Sequence, residues 1–315
     1  AAVMTGSLRT LAVQQSQSSP RLVEHLRRHQ DLVAGNEGVL ASHMPATTEF
    51  ACFSSNALTD PLVADWERFM AEDYEAPAPV RNVMILLPCS ARKPYRLSKS
   101  HGQFLRAIGS TGCHEVMMTS PLGLVPRDLE DVWPAANYDV PVTGDWSSDE
   151  LGRVRRMLTA LVQRVGYREI INHTDMDLSF LSVDVVNTRQ GQGSTNFDAL
   201  ARLTAAVKDA RERYDLKNQK NNLRLKEHFR SIARKVTGTD AWCEALVVRG
   251  KLPRWRLELD GTQMAVWSID RNGFSFSRAA IDLLHHHQAL KAVVLREDVV
   301  WKGDVFAQLV EKADP

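Results

Sequence analysis

The sequence has 315 residues, of which 44% are hydrophobic, and its 39 basic and 38 acidic side chains nearly cancel. This composition is typical of a folded globular protein with enough apolar residues for a core, and it excludes disordered and collagen-like chains. No apolar run approaches the roughly 20 residues of a membrane-spanning helix and no secretory signal is visible, so we expect a cytoplasmic protein without membrane contact.

Residues 1–80 are predicted to form a helical lead-in segment. Apolar positions recur at helical spacing in 19–33 and again in 58–70, where Pro61 lies at the start of the pattern. A proline-rich stretch, 76–80, ends this segment.

Residues 81–238 are predicted to form an α/β core. Short apolar runs bounded by polar residues predict buried strands at 83–87, 114–120 and 167–173. A capping box, Ser147-x-x-Glu150, opens a helix that continues to residue 165, and a second apolar face predicts a helix over 197–214. Strands separated by helices of this length predict a parallel sheet with helices on both faces, and active sites on such sheets lie at the carboxyl ends of the strands.

The pattern changes again from residue 239. Residues 253–259 and 263–269 flank the pair Asp260-Gly261, which predicts a β-hairpin closed by a two-residue turn. We therefore expect a second, smaller α+β unit over 239–290, followed by a strand-like segment at 292–298.

The strongest local signal follows the first predicted strand, in residues 86–104. This stretch carries a thiol, an ammonium, a phenol, a hydroxyl and an imidazole, on Cys89, Lys93, Tyr95, Ser98 and His101. The carboxyl end of a strand is where such a sheet displays reactive groups, and a helix beginning near Ser98 or Ser100 would direct its positive dipole end at a carboxylate or phosphate. The loop is interpreted as an active-site loop, and the alternative is a polar connection in which Cys89 is merely packed.

These residues also resemble a known signature. The order Pro88-Cys89, three residues, Lys93-Pro94-Tyr95, two residues, Ser98, two residues, His101 is similar to the motif of the archaeosine synthases, archaeal paralogues of tRNA-guanine transglycosylase. Segments similar to that family follow in the same order over nearly the whole chain, at 6–12, 19–30, 138–146, 247–261 and 299–314.

The resemblance implies a domain organisation. It implies a uracil-DNA-glycosylase-like parallel sheet core at 81–238, a pre-PUA-like α+β unit at 239–290, and an incomplete PUA-like RNA-binding segment at 291–315. The family carries a transglycosylase-like region upstream that this sequence lacks, so we expect a split-gene subunit or a truncated product with a transglycosylase-like subunit as a partner.

The resemblance also implies a reaction. Archaeosine synthases add the ε-amine of free lysine to the nitrile of 7-cyano-7-deazaguanine in the D-loop of tRNA, and a radical-SAM partner then cleaves the adduct. Two rival functions stay open: a tRNA-guanine transglycosylase-related activity, and a non-catalytic tRNA-binding subunit of a split modification enzyme.

The loop supplies candidates for each step of this reaction. His101 is the expected proton acceptor because its ordinary pKa lies nearest neutrality, and either Lys93 or the Tyr95 phenol is expected to stabilise charge on the nitrile nitrogen. Cys89 either attacks the nitrile to form a thioimidate or has a structural role beneath the loop. The candidate substrate-binding residues are Ser90, Tyr95, Ser98, Asp139 and Asp145.

Charge is unevenly distributed along the chain. Residues 201–256 carry a net charge of +9 and the remainder carries −8, which indicates a polyanionic partner such as RNA, although a solvated helix surface gives the same pattern. The candidate RNA-binding residues are Arg224, Lys226, Arg230, Arg234, Lys235, Arg254 and Arg256. The four cysteines form no C-x-x-C pair, and neither a metal nor an organic cofactor is expected.

Overall fold

The computed structural model describes residues 8–33, 50–52, 55–110, 112–140, 146–218, 221–251, 253–268, 271, 273–298 and 310–313. The α-helices in these residues are α1 (Leu8–Ser16), α2 (Pro20–Val33), α3 (Pro61–Arg68), α4 (Lys99–Ile108), α5 (Ser148–Val165), α6 (Phe197–Arg213), α7 (Asn221–Thr237) and α8 (Ile281–His286). The first seven strands are β1 (Phe50–Ala51), β2 (Val83–Pro88), β3 (His114–Thr119), β4 (Gly123–Pro126), β5 (Tyr138–Asp139), β6 (Glu169–Asn172) and β7 (Asp184–Asn187). The remaining strands are β8 (Val247–Lys251), β9 (Arg254–Leu259), β10 (Thr262–Ser268), β11 (Gly273–Phe276), β12 (Val293–Leu295) and β13 (Val310–Ala313). None of the helices described is long and apolar enough to cross a membrane.

The core is built on a five-stranded sheet with the strand order β4-β3-β2-β6-β7. The strands β2, β3, β6 and β7 are parallel, which confirms the three predicted strands and their direction. The sheet is mixed rather than wholly parallel, because β4 returns antiparallel beside β3. Only three residues separate β3 from β4, which is too few for the crossover that a parallel pair requires.

Both faces of this sheet are covered. Val83–Leu87, the apolar part of the central strand β2, is completely buried, as expected for a strand with packing on both sides. The helices α4 and α6 pack together, and α5 packs against β4 and the segment Phe69–Asp73. The predicted capping box at the start of α5 is confirmed, since Ser147 Oγ accepts from the Glu150 backbone N–H and the Glu150 carboxylate accepts from the Ser147 N–H.

Part of the predicted lead-in segment belongs to this core. The α3 residue Trp66 is fully buried, and its indole Nε1 donates to the Leu124 carbonyl at 2.9 Å. Arg153 on α5 donates to the Leu58 carbonyl and to Glu67. Phe50, Cys52, Ala57 and the buried hydrophobic residues of α3 therefore belong to the core cluster, whereas α1 and α2 pack against each other.

The C-terminal part contains a four-stranded antiparallel sheet of order β11-β10-β9-β8. The predicted hairpin is confirmed as β9 and β10, joined by Asp260 and Gly261 with φ angles of +47° and +80°. Positive φ at both positions is what a two-residue turn of this kind requires, and Gly adopts it freely. One face of the sheet packs on α7, where Phe229 contacts the rings of Trp255 and Trp267.

The helix α7 is in turn attached to the core. Lys235 Nζ lies 3.0 Å from Asp65 Oδ2 on α3 and 4.5 Å from the centre of the Phe69 ring. Burial opposes ionisation of Asp65, but Lys235 and then Arg68 outweigh it, so the pKa of Asp65 lies below its usual value. The small sheet is thus linked to the core through α7.

Candidate functional site

The motif loop leaves the sheet where two parallel strands end. Cys89 directly follows β2, and Thr119 is the last residue of the neighbouring strand β3, whose Met118 is in register with Pro88. The carboxyl ends of parallel strands meet at one edge of the sheet, so the two side chains are brought together. Tyr138 reaches the same place from β5, which pairs with β1.

Five side chains form what we call the hydroxyl–thiol cluster: Cys89, Lys93, Tyr95, Thr119 and Tyr138. The Tyr138 hydroxyl is hydrogen-bonded to the hydroxyls of both Tyr95 and Thr119. The Thr119 hydroxyl also lowers the pKa of the Cys89 thiol, and the Lys93 ammonium lies 4.1 Å from the centre of the Tyr138 ring. The cluster therefore brings three hydroxyls and a cation into direct contact beside a thiol that Lys93 and Thr119 influence.

Burial determines the protonation of this cluster. It raises the pKa of the Cys89 thiol, and Lys93 and the Thr119 hydroxyl offset only part of that rise. Burial likewise raises the pKa values of Tyr95 and Tyr138. At neutral pH the thiol and both phenols are neutral, and each can donate a proton or a hydrogen bond.

A second cysteine lies beside the cluster. Cys52 follows β1, and its backbone N–H donates to the Asp139 carbonyl at 2.8 Å. Its pKa is raised by burial and by the carboxylates of Asp60 and Asp139, while Lys93 lowers it in part. Lys93 thus lies close enough to influence two thiols.

His101 occupies a different environment from the one expected of a catalytic base. It is completely buried on α4, where Nε2 donates to the Pro88 carbonyl at 3.1 Å and Nδ1 accepts from Arg127 Nη2 at 3.1 Å. Burial and the Arg127 charge lower its pKa to about 3. Both ring nitrogens are engaged, so the imidazole holds the backbone just before Cys89.

The partner of His101 belongs to an ion-pair network. Arg127 lies between Glu115 and Glu130, and Glu130 also accepts from Arg96 Nη1 at 3.0 Å. Arg96 Nη2 is 2.6 Å from Asp131, and His228 on α7 is 3.4 Å from the same carboxylate. The network joins the motif loop to α7.

The other predicted substrate-binding residues are spread around the loop. Ser98 caps α4, where its Oγ accepts from the His101 N–H at 3.2 Å, and Ser90 Oγ donates to the Arg92 carbonyl. Asp139 is half-buried next to Tyr138. Asp145 lies outside the described residues.

The predicted RNA-binding residues divide into two groups. Arg224, Arg254 and Arg256 are exposed, and Lys226 is half-buried and donates to the Glu244 carbonyl. Arg230, Arg234 and Lys235 are engaged in ion pairs with Asp240 or Asp65 and are largely covered. Among the described residues no group of three or more His, Cys, Asp or Glu side chains is arranged to hold a metal ion.

Comparison with known proteins relates this chain to enzymes of known name. It is 30% identical to the archaeosine synthase subunit alpha of Methanosarcina acetivorans over 99% of this chain and 52% of that protein. It is 29% identical to the corresponding subunit of Thermococcus kodakarensis, over 88% of this chain and 50% of that protein. The archaeosine synthase of Methanocaldococcus jannaschii is 34% identical over 67% of this chain and 36% of its own length.

The chain is homologous to the archaeosine synthases. The resemblance found in the sequence is confirmed. The chain spans about half the length of the Methanosarcina and Thermococcus proteins and 36% of the Methanocaldococcus protein. A family described as a domain of unknown function (DUF5591) matches residues 63–207. The crystal structure of AF0587, a protein of unknown function, superposes with a TM-score of 0.60 and 20% identity over 79% of this chain and 84% of that one, which shows a shared fold.

Three important residues of this archaeosine synthase homologue were not singled out from its sequence. Thr119 and Tyr138 complete the cluster, and Arg127 holds His101. The strand prediction at 114–120 could have indicated Thr119, because that residue ends a strand beside β2. Nothing in the pattern indicates the contact between Arg127 and His101, which lie 26 residues apart in sequence.

Proposed function

We propose that this chain carries the lysine-adding site of an archaeosine synthase and acts on 7-cyano-7-deazaguanine in tRNA. The observation that carries the proposal is the hydroxyl–thiol cluster. Three residues of the motif that resembles the archaeosine synthase signature, Cys89, Lys93 and Tyr95, lie together there with Thr119 and Tyr138. The chain's homology to archaeosine synthases supports this choice of substrate.

The proposed reaction is an addition without a leaving group. The lysine ε-nitrogen forms a bond to the nitrile carbon, and one of its protons moves to the nitrile nitrogen to give an amidine. Negative charge develops on the nitrile nitrogen, where a fixed cation and hydroxyl donors stabilise it best. Lys93 supplies the cation, and the Tyr138 phenol, linked to Tyr95 and Thr119, supplies the proton path.

Cys89 is assigned the role of nucleophile. Its sulfur adds to the nitrile carbon while the thiol proton passes to the nitrile nitrogen, which gives a thioimidate. The lysine amine then displaces the sulfur and returns a proton to it, so the net reaction is unchanged. Lys93 supports this step because its charge favours the thiolate against the burial that opposes it.

His101 is assigned a positioning role in place of the base role expected from the sequence. Its neutral ring, held between Arg127 and the Pro88 carbonyl, fixes the end of β2 from which Cys89 projects. The incoming lysine must then lose its proton to another acceptor or arrive as the neutral amine.

Several finer features belong to the same proposal. They are the uracil-DNA-glycosylase-like character of the core, the pre-PUA and PUA-like assignments of 239–290 and 291–315, and the partnership with a transglycosylase-like subunit and a radical-SAM enzyme. The exposed residues Arg224, Arg254 and Arg256 are proposed to contact tRNA phosphates.

The test uses isotopically labelled lysine and tRNA that carries 7-cyano-7-deazaguanine. After incubation with the full chain the tRNA is digested, and mass spectrometry measures the lysine adduct. We expect an adduct with the unchanged protein and with Cys243→Ala, which removes a thiol outside the cluster, and none with Cys89→Ala. Incubation without lysine should leave a mass addition on the Cys89 peptide.

Other outcomes separate the alternatives. Adduct formation by Cys89→Ala would overturn the nucleophile assignment and leave direct amine attack. An absence of adduct with intact tRNA binding would favour the non-catalytic tRNA-binding subunit, and release of guanine or exchange of a base would favour a transglycosylase-related activity.

A further inference from the structure

The antiparallel pair β8 and β9 presents one basic face. In the strand register Arg249 lies opposite Arg256 and Lys251 lies opposite Arg254. Residues directly opposite each other in a strand pair point to the same side of a sheet, and so do residues two apart on one strand. These four exposed cations, which we call the basic sheet face, therefore form two rows of two.

The other side of the same strands is apolar and packed. Trp255 and Leu257 are buried, and Trp255 packs edge-on against Phe229 of α7. Gly250 stands opposite Trp255, and a Cβ at this position would lie 2.8 Å from the Arg254 carbonyl oxygen, so the two strands approach closely there. The four cations thus lie on paired strands whose other side is packed, with Lys251 and Arg254 at the strand ends.

The arrangement is electrostatically unfavourable without a counter-charge. Like charges directly opposite one another destabilise a strand pair. Glu258 lies at one end of the face, 3.1 Å from Arg249 and 3.5 Å from Arg256. Within the described part of the chain no carboxylate lies within ion-pair distance of Lys251 or Arg254. The face therefore carries excess positive charge that an anionic ligand would neutralise.

We infer that the basic sheet face binds the phosphate backbone of a folded RNA, with Arg249 and Lys251 acting as phosphate-contacting residues alongside Arg254 and Arg256. The two rows are about 7 Å apart along the strands, which suits successive phosphates of one RNA strand. Arginine and lysine together give bidentate and point-charge contacts to phosphate oxygens. The identity of the RNA as tRNA rests on the proposed function, whereas the phosphate chemistry of the face does not.

An RNA is favoured over an anionic membrane by the shape of the face. Membrane-surface helices and loops pair their cations with large apolar side chains that enter the bilayer. Among the described residues of β8 and β9, Val247 is the large aliphatic side chain exposed beside the cations, and Trp255 and Trp267 of β9 and β10 are buried. The surface can contact phosphates but offers little to bury in lipid.

The test measures binding of the full chain to unmodified tRNA by fluorescence anisotropy at several salt concentrations. Because the tRNA lacks the modified base, the result does not depend on lysine addition. We expect the variants Arg249→Gln/Lys251→Gln and Arg254→Gln/Arg256→Gln each to weaken binding about tenfold and to reduce the salt slope by roughly 1 for each contact removed. The matched control Arg271→Gln/Arg278→Gln removes two exposed arginine charges of the same C-terminal part, outside the PUA-like segment 291–315.

Two results would overturn the inference. Equal weakening by the control would mean that net charge, not this face, governs binding. Unchanged tRNA affinity in both test variants, with loss of binding to vesicles containing phosphatidylserine, would assign the face to a membrane. The unfolding temperatures of all three variants are compared with that of the unchanged protein. A further variant, Gly250→Ala, perturbs the β8–β9 pair but keeps every charge, and it reports whether the geometry of the strand pair matters for tRNA binding.

Discussion

Arg127 Nη2 donates a hydrogen bond to His101 Nδ1 at 3.1 Å, and this contact determines the state of the imidazole. Because Nδ1 accepts, the ring proton lies on Nε2, which donates to the Pro88 carbonyl. The position of Cys89 thus depends on a neutral histidine with a defined tautomer.

The first prediction concerns acid stability. The pKa of His101 is about 3 in the folded chain, because of burial and then Arg127, against 6.5 in the unfolded chain. Below pH 6.5 the unfolded state takes up a proton that the folded state refuses, so this residue's contribution to stability is complete above pH 6.5 and declines as the pH falls toward 3. The decline approaches roughly 1.4 kcal/mol for each pH unit. Urea unfolding at pH 7 and pH 5 should show a smaller loss in His101→Gln, and an equal loss in both proteins would contradict the assignment.

The second prediction concerns the reactivity of Cys89. Lys93 lowers the pKa of this thiol against the larger effect of burial, so Lys93→Met should raise the pKa further and reduce the thiolate fraction at any given pH. Alkylation of the Cys89 peptide by iodoacetamide, followed by mass spectrometry across pH 7–9, should be slower in this variant. Lys99→Met, which removes an exposed lysine on α4, should leave the rate unchanged.

The third prediction concerns the hydroxyl path. Tyr138→Phe removes the group that links Tyr95 and Thr119, and the rate of lysine adduct formation should fall by roughly 10²-fold. Tyr167→Phe is the matched control, because Tyr167 is also buried and hydrogen-bonded but contacts His114 away from the cluster. Similar losses of adduct-formation rate in the two variants would show a general effect of removing a core tyrosine hydroxyl. That result would contradict the proton path through Tyr138.

The fourth prediction separates structural from exposed cations. Lys235→Met leaves the mostly covered Asp65 without its strongest partner, and a loss of about 1–3 kcal/mol in unfolding free energy is expected. Arg224→Met, at an exposed position of the same helix, should change stability by less than about 0.5 kcal/mol. In tRNA binding by folded protein the order should reverse, with the larger effect in Arg224→Met.

The fifth prediction concerns Gly123 at the start of β4. Its φ is +76°, and a Cβ there would lie 2.4 Å from the Met157 sulfur, so Gly123→Ala adds both backbone strain and overpacking. We expect a loss of about 2–4 kcal/mol in urea unfolding. Gly166→Ala, at φ +71° with nothing within 4 Å of the added Cβ, should cost only the backbone part, about 1–2 kcal/mol.

The sequence predicted the elements whose signals are local. A few adjacent residues encode each of three such elements: the apolar run of β2, the capping box of α5 and the Asp260-Gly261 turn. All three are confirmed. β5 has only two residues, and its position depends on pairing with β1, which lies 88 residues earlier in the chain. Tyr138 lies in the segment 138–146 that resembles the archaeosine synthases, but its position beside Tyr95 could not be predicted from the sequence.

The site was predictable in part for the same reason. The spacing of the motif brought Cys89, Lys93 and Tyr95 to one loop, whereas the protonation of His101 depends on a burial and an arginine that the loop does not contain. Likewise, Lys235 and Arg224 look alike in a basic run, and only tertiary packing turns one toward Asp65. On β8 and β9 the alternation of basic residues is visible in the sequence, but the pairing of Arg249 with Arg256 is a property of the register.

The attachment of α7 to the core also bears on how this region is inherited. Lys235 binds Asp65 and His228 lies against Asp131, and both carboxylates belong to the segment that the family match covers, whereas the helix lies beyond its end. A gene rearrangement that separated residues 63–207 from α7 would remove one partner from each of these two largely buried carboxylates and leave them only Arg68 and Arg96. The helix α7 and the core are therefore expected to be inherited together as one unit, and the basic sheet is attached to the end of that helix.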